Sequence, residues 1–123
     1  MEPITERRAV PGPVVYGYLR LATLSLARRA ALTTALGSYC DRHELMLAGV
    51  FNDGGTGTTW TPGFTGLIDA VLASGSYGVV VPSLAHLGAG QAGAQRAAAI
   101  TGTGRRLMLV HNTPACAMAR RAR

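Results

Sequence analysis

The chain has no lysine: all twelve of its basic residues are arginine. With abundant Ala and Gly, that usage reads as the coding bias of a GC-rich genome before it reads as selection for guanidinium chemistry. Cysteine is scarce as well. Cys40 and Cys116 stand alone, with no CxxC pair and no secretory context, so no structural disulfide is expected. No apolar run nears the ~18 residues of a membrane span. The opening "MEPITERRAVPGP" lacks the apolar core of a signal peptide. These absences make the cytoplasm the expected compartment, with no membrane partner.

What is present is one domain's worth of core: 123 residues, 48% of them apolar. The net charge of +6 attracts polyanions without specifying any. Its arginines gather as Arg7–Arg8, Arg28–Arg29, Arg105–Arg106 and Arg120–Arg121–Arg123. Of these, Arg105, Arg106, Arg120, Arg121 and Arg123 are candidate contacts for DNA or another anion, set against a reading as solvated faces and ends.

Residues 1–13 are charged, end in Pro-Gly-Pro and read as a flexible arm. Val14 to Leu21 has the β-branched and aromatic content of a strand. A helix is expected from Thr23, as N-cap, to about Arg42, with Leu32, Leu36 and Tyr39 on one face. Leu45 to Phe51 reads as a buried strand closed by Asn52-Asp53-Gly54. After the irregular "NDGGTGTTWTPG", Thr61-Pro62 restarts a helix whose Phe64, Leu67, Ile68, Val71 and Leu72 share a face, and Gly75 ends it. Tyr77 to Val81 is a third strand, and Gly90 to Ile100 a weak helix burdened by Gly93. Leu107 to Val110 is a fourth strand. The order βαβαβαβ predicts an α/β domain over 14–112, a mostly parallel four-stranded sheet with helices on both faces. A short basic tail, 113–123, follows. Function in such sheets gathers beyond the carboxyl ends of the strands, here Arg20–Thr23, Asp53–Gly57, Ser83–Ala89 and His111–Asn112.

Those segments, in that order, resemble the catalytic domain of serine recombinases, the resolvase and invertase family. "YGYLRLAT" is similar to the family's Tyr-x-Arg-Val-Ser-Thr, "DGGTG" to its Asp-x-x-Ser-Gly, and "TPGF" to its Arg-Pro-Gly-Phe. "VVVPSLAHLGA" is similar to the Leu-Asp-Arg-Leu-Gly-Arg segment, and "GRRLMLVHN" to the strand that follows it. The resemblance runs from Val14 to Asn112 and implies a resolvase-like fold and DNA strand exchange through a phosphoserine bond. The chain departs from the pattern where the chemistry lies. The nucleophilic serine falls at Ala22, and the arginine before Pro-Gly at Thr61. The Asp and two Arg of the fourth motif fall at Ala85, His86 and Ala89. Arg20 alone matches among the residues the family sets on the scissile phosphate. An alanine methyl has no lone pair with which to attack phosphorus, and arginines that stabilise phosphoryl charge are gone. The resemblance also implies a long dimer helix and a DNA-binding domain after the sheet, for which eleven residues after Asn112 leave no room.

The expectation is therefore a catalytically inactive, recombinase-like module that makes protein contacts or self-associates, with no cofactor. Two rivals are a non-specific DNA-binding relic of a resolvase, and an active recombinase using Thr23 or Ser25 as a displaced nucleophile. Arg20 reads either as an anion holder or as a partner of Asp53 or of a helix carboxylate. Ser25 is expected in the first turn of its helix. The "GGTGTT" loop has no Gly-Lys-Ser/Thr and is no P-loop, so a small ligand there is a further rival. Trp60 either anchors a partner or folds back on the sheet. His86 and His111 lie at one sheet edge, with no close-spaced ligand pair to make a metal site.

Overall fold

Alternating burial along short strands builds the domain, which the computed structural model describes over residues 12–20, 25–54 and 59–111. Strands β1 (Val14–Arg20), β2 (Met46–Asp53), β3 (Gly78–Val81) and β4 (Arg106–Leu109) alternate with helices α1 (Leu26–Arg42), α2 (Pro62–Ser74) and α3 (Gly90–Gly102). A single 3₁₀ turn, Leu84–Leu87, links β3 to α3 and was not foreseen in the pattern. All pairings are parallel, in the order β2-β1-β3-β4.

The period of two along each strand sorts side chains into two cores. Val15, Leu19 and Val80 point to one face, where Leu36 and Cys40 of α1 cover them with Leu32 and Tyr39 alongside. Tyr18, Val79 and Val81 point to the other, against Phe64, Leu67, Ile68 and Val71 of α2 and Ile100 of α3. The sheet is thus sandwiched, α1 on one side and α2 and α3 on the other. Burial pushes the Cys40 thiol above its ordinary range, the mark of a packing residue.

Three local expectations are corrected. Leu72 is 57% exposed, because a helix lying on a sheet buries a narrower stripe than its apolar residues span. The N-cap of α1 is Ser25, extended at φ −86° and ψ 156°, and its hydroxyl accepts the Arg28 N–H at 3.0 Å. Thr23 lies outside the described residues. Gly93 is no burden: a Cβ there would meet the Gly88 carbonyl oxygen at 2.0 Å, so only glycine lets α3 lie against the end of the 3₁₀ turn. The helix end at Gly75 is as expected, with φ +66° in the left-handed region.

Register matters most between β1 and β2. Val15 pairs with Leu47 but Tyr16 with Gly49, leaving Ala48 as an extra residue. That one-residue bulge sets Arg20 beside Asp53; without it Arg20 would face Asn52. At the start of the sheet, Pro13 accepts the Met46 N–H at 2.8 Å, which ties the last residue of the expected arm to β2.

Candidate functional site: a buried polar cluster at the strand ends

Tyr18 and Arg20 lie two apart on β1 and so share a face, and the bulged register brings Asp53 alongside them. The Tyr18 hydroxyl donates to Asp53 Oδ2 at 2.5 Å. The Thr61 hydroxyl donates to the same oxygen. Asp53 Oδ1 accepts the Gly63 N–H at 2.9 Å. Arg20 Nη1 completes the group, 3.4 Å from the Tyr18 hydroxyl and 3.9 Å from Asp53 Oδ2. The two charged side chains are 7% and 6% exposed, so the pair is largely withdrawn from water.

Asp53 also does work expected of Thr61. Thr61 occupies the N-cap position of α2, yet its side chain makes no capping bond, because its hydroxyl is turned to the carboxylate. The α2 N–H groups of Gly63 and Phe64 are met by Asp53 instead, reaching from β2. Burial alone pushes the Asp53 carboxyl up. The hydrogen bonds from Thr61, Tyr18, Gly63 and Phe64 together outweigh it and hold the group below its ordinary value. The Tyr18 phenol is raised, first by burial and then by the carboxylate it serves.

His86 reaches the cluster from the 3₁₀ turn. Its Nδ1 accepts the backbone N–H of Arg20 at 3.0 Å, which places the ring proton on Nε2 and makes the imidazole neutral. Burial, then the positive charge of Arg28, lowers its pKa further below the ordinary histidine value. The ring is therefore a strand-end lock rather than a cation.

Arg96 is the member that sequence reasoning missed. It is fully buried from the middle of α3. Its Nη1 donates to the Leu87 carbonyl at 2.7 Å and its Nε to the Thr59 carbonyl at 3.1 Å, with the guanidinium carbon 5.9 Å from the Phe64 ring centre. One side chain thus joins the 3₁₀ turn, the end of the Gly-rich loop and α2. Burial, then repulsion from Arg20, depresses its pKa, while Tyr18 and Asp53 oppose that. Arg20 and Arg96 flank Gly88: a Cβ there would lie 2.6 Å from Arg96 Nη1 and 3.6 Å from Arg20 Nε.

The chain matches no family model and no curated protein. Among solved structures it is similar to the crystal structure of the C-terminal catalytic domain of ISC1926 TnpA, an IS607-like serine recombinase. The TM-score is 0.65 at 12% sequence identity, over 87% of this chain and 76% of that chain. The fold is that of a serine-recombinase catalytic domain. In that neighbour the catalytic domain is the C-terminal one.

On this recombinase fold, Arg20, Asp53, Thr61, His86, Ala85 and Ala89 come together at the carboxyl ends of β1, β2 and β3. Ala85 and Ala89 are exposed, whereas Thr61 and His86 are 7% exposed each. Ala22, most of the GGTGTT loop, Cys116, Arg120, Arg121 and Arg123 lie outside the described residues. Arg105 and Arg106 sit at the opposite, amino end of the sheet. Trp60 is 54% exposed, and its ring centre lies 5.2 Å from that of Phe64 on α2. His111 is exposed at the end of β4, and among the described residues no three His, Cys, Asp or Glu side chains are placed to share a metal ion.

Proposed function

We propose that this recombinase-fold domain performs no DNA strand cleavage and acts as an interaction module, contacting a protein partner through the carboxyl end of its sheet. The observation that carries the proposal is the inward pairing of Arg20. A phosphate-binding arginine must present its N–H groups to an incoming oxyanion. Here the guanidinium is held against Tyr18 and Asp53 and is 7% exposed. The Ser25 hydroxyl accepts the Arg28 N–H as the cap of α1, which counts against its use as a displaced nucleophile. By the sequence resemblance the family's serine falls at Ala22.

Three exposed apolar side chains stand among the described residues that follow these strands. Leu26, Trp60 and Leu84 follow β1, β2 and β3 in turn and are 82%, 54% and 40% exposed. With Ala85 and Ala89 they make the strand ends a surface of contact chemistry rather than anion chemistry. A photo-crosslinking side chain placed at Leu84 is expected to trap a discrete partner, which includes a second copy of the chain. The same group at Leu72, which is more exposed and lies in the last turn of α2, is expected to trap none. Equal labelling from both positions would show that the strand ends hold no particular contact.

A second reading, non-specific DNA contact, is favoured by one observation: Arg28, Arg29 and Arg42 are all exposed on α1. It requires binding that falls steeply between ~50 and ~200 mM salt as counterions are released.

A further inference from the structure

The amino end of the sheet is built differently. Val14, Ser76, Tyr77, Arg105 and Arg106, from the starts of β1, β3 and β4, border an open groove of about 550 Å³. Ser76 is 4% exposed, and its hydroxyl has no hydrogen-bond partner. Arg105 Nε is likewise buried and unpartnered. Among the described residues these are both of the buried side-chain polar atoms left unmet, and both belong to residues that line this groove. Buried donors without partners are rare because each carries an uncompensated desolvation cost.

The rest of the arginine is fixed. Arg105 Nη1 donates to the Thr103 carbonyl at 3.1 Å and Nη2 to the Val71 carbonyl at 3.5 Å, in the last turn of α2. Arg106 is exposed, its guanidinium 5.5 Å from the Tyr77 ring centre. Among the described residues no acidic side chain lines the groove. The C-terminal ends of α2 and α3 lie at this side of the sheet and bring roughly half a negative charge each, which two arginines exceed. The field in the groove is therefore positive, and its unmet groups are donors.

We propose that this groove binds a phosphate-bearing anion, with Ser76 Oγ and the Arg106 guanidinium as donors and Arg105 supplying fixed positive charge beside them. A change of χ1 rotamer orients the serine hydroxyl toward the ligand. The site shares no residue with the contact surface at the carboxyl end, so either can fail without the other. The phosphate belongs either to a DNA backbone or to a small phosphorylated molecule.

The test is a nuclear magnetic resonance titration of the full chain with inorganic phosphate, in chloride buffer at constant ionic strength, and separately with a short duplex DNA. Saturable shifts are expected in the amides of Ser76, Tyr77, Arg105 and Arg106. Ser76→Ala is expected to weaken phosphate binding about tenfold, the loss of one charge-assisted hydrogen bond. The same variant should melt at a higher temperature than the wild type in chloride alone, because an unmet buried hydroxyl is gone. Arg106→Gln should weaken binding without that gain. If DNA shifts the same amides and both variants weaken it in parallel, the ligand is backbone phosphate. Phosphate binding without a matching response to DNA assigns a small phosphorylated molecule. Shifts spread over the surface arginines, or Ser76→Ala binding phosphate like the wild type, would overturn the site.

Discussion

Replacing Arg96 with alanine is expected to cost about 3–5 kcal/mol and to lower the melting temperature by more than about 10 °C. Three effects add. The Leu87 and Thr59 carbonyls lose their donor inside the protein. The space beside Phe64 is left unfilled. The 3₁₀ turn and the Gly-rich loop are no longer joined to α3. Relief of the repulsion between Arg96 and Arg20 offsets a part of this. Arg96→Lys keeps the charge but not the planar fork that spans two carbonyls, so it should recover less than half of the loss. Urea unfolding of the three proteins, followed by circular dichroism, measures the difference directly. A loss under about 1 kcal/mol for Arg96→Ala, the size of an ordinary surface substitution, would remove Arg96 from the core.

Asp53→Asn is the second large effect, about 2–4 kcal/mol near neutral pH. The variant keeps the size of the side chain but removes the countercharge to Arg20 and weakens the bonds from Tyr18, Thr61 and the α2 N–H groups. The carboxyl is held below its ordinary value of 3.8 in the folded protein. Above that ordinary value both states are ionised and the stabilisation is complete. As the pH falls from it toward the folded value, the unfolded chain takes up the proton first, and the stabilisation is lost. The gap in stability between wild type and Asp53→Asn should therefore be widest near pH 7 and close below about pH 4. A gap that stays constant with pH would assign the effect to shape rather than charge.

Much of the fold was legible because its signals are local and redundant. Phe64, Leu67, Ile68 and Val71 repeat at helical spacing between a Thr-Pro start and a Gly stop, and no other element suits them. The GVVV strand is buried at every residue, as an apolar run between two helices must be in a parallel sheet. Arg20, Asp53 and Thr61 could be grouped because each lies at a strand or helix boundary and resembles a recombinase motif. Pairing of Arg20 with Asp53 was one of two open readings. What decides it is the bulge at Ala48, which shifts β2 by one residue and whose sole sign in "MLAGVFND" is the neighbouring Gly49. The capping of α2 by Asp53 was hidden for a related reason, since an N-cap rule looks at the adjacent residue and the carboxylate arrives from another element.

Arg96 was hidden by its surroundings. In "QAGAQRAAAI" a lone arginine among alanines reads as a solvated helix face. The available signal lay elsewhere, in Gly88 and Gly93, which allow the helix to approach the 3₁₀ turn so closely that a long side chain between them is enclosed. Ser25 shows the opposite error. Both Thr23 and Ser25 have capping chemistry, and only the backbone, extended at Ser25, decides where the helix begins.

The central claim is that the strand ends have turned from phosphate chemistry to inward pairing and surface contact. It is tested most directly by incubating the protein with supercoiled and nicked DNA and trapping covalent protein–DNA adducts under denaturing conditions. The wild type is expected to give no adduct. Ala22→Ser is expected to give none either, because Arg20 stays paired to Asp53 and positions 85 and 89 stay alanine. An adduct from the wild type, mapped to any hydroxyl of this chain, would contradict the account.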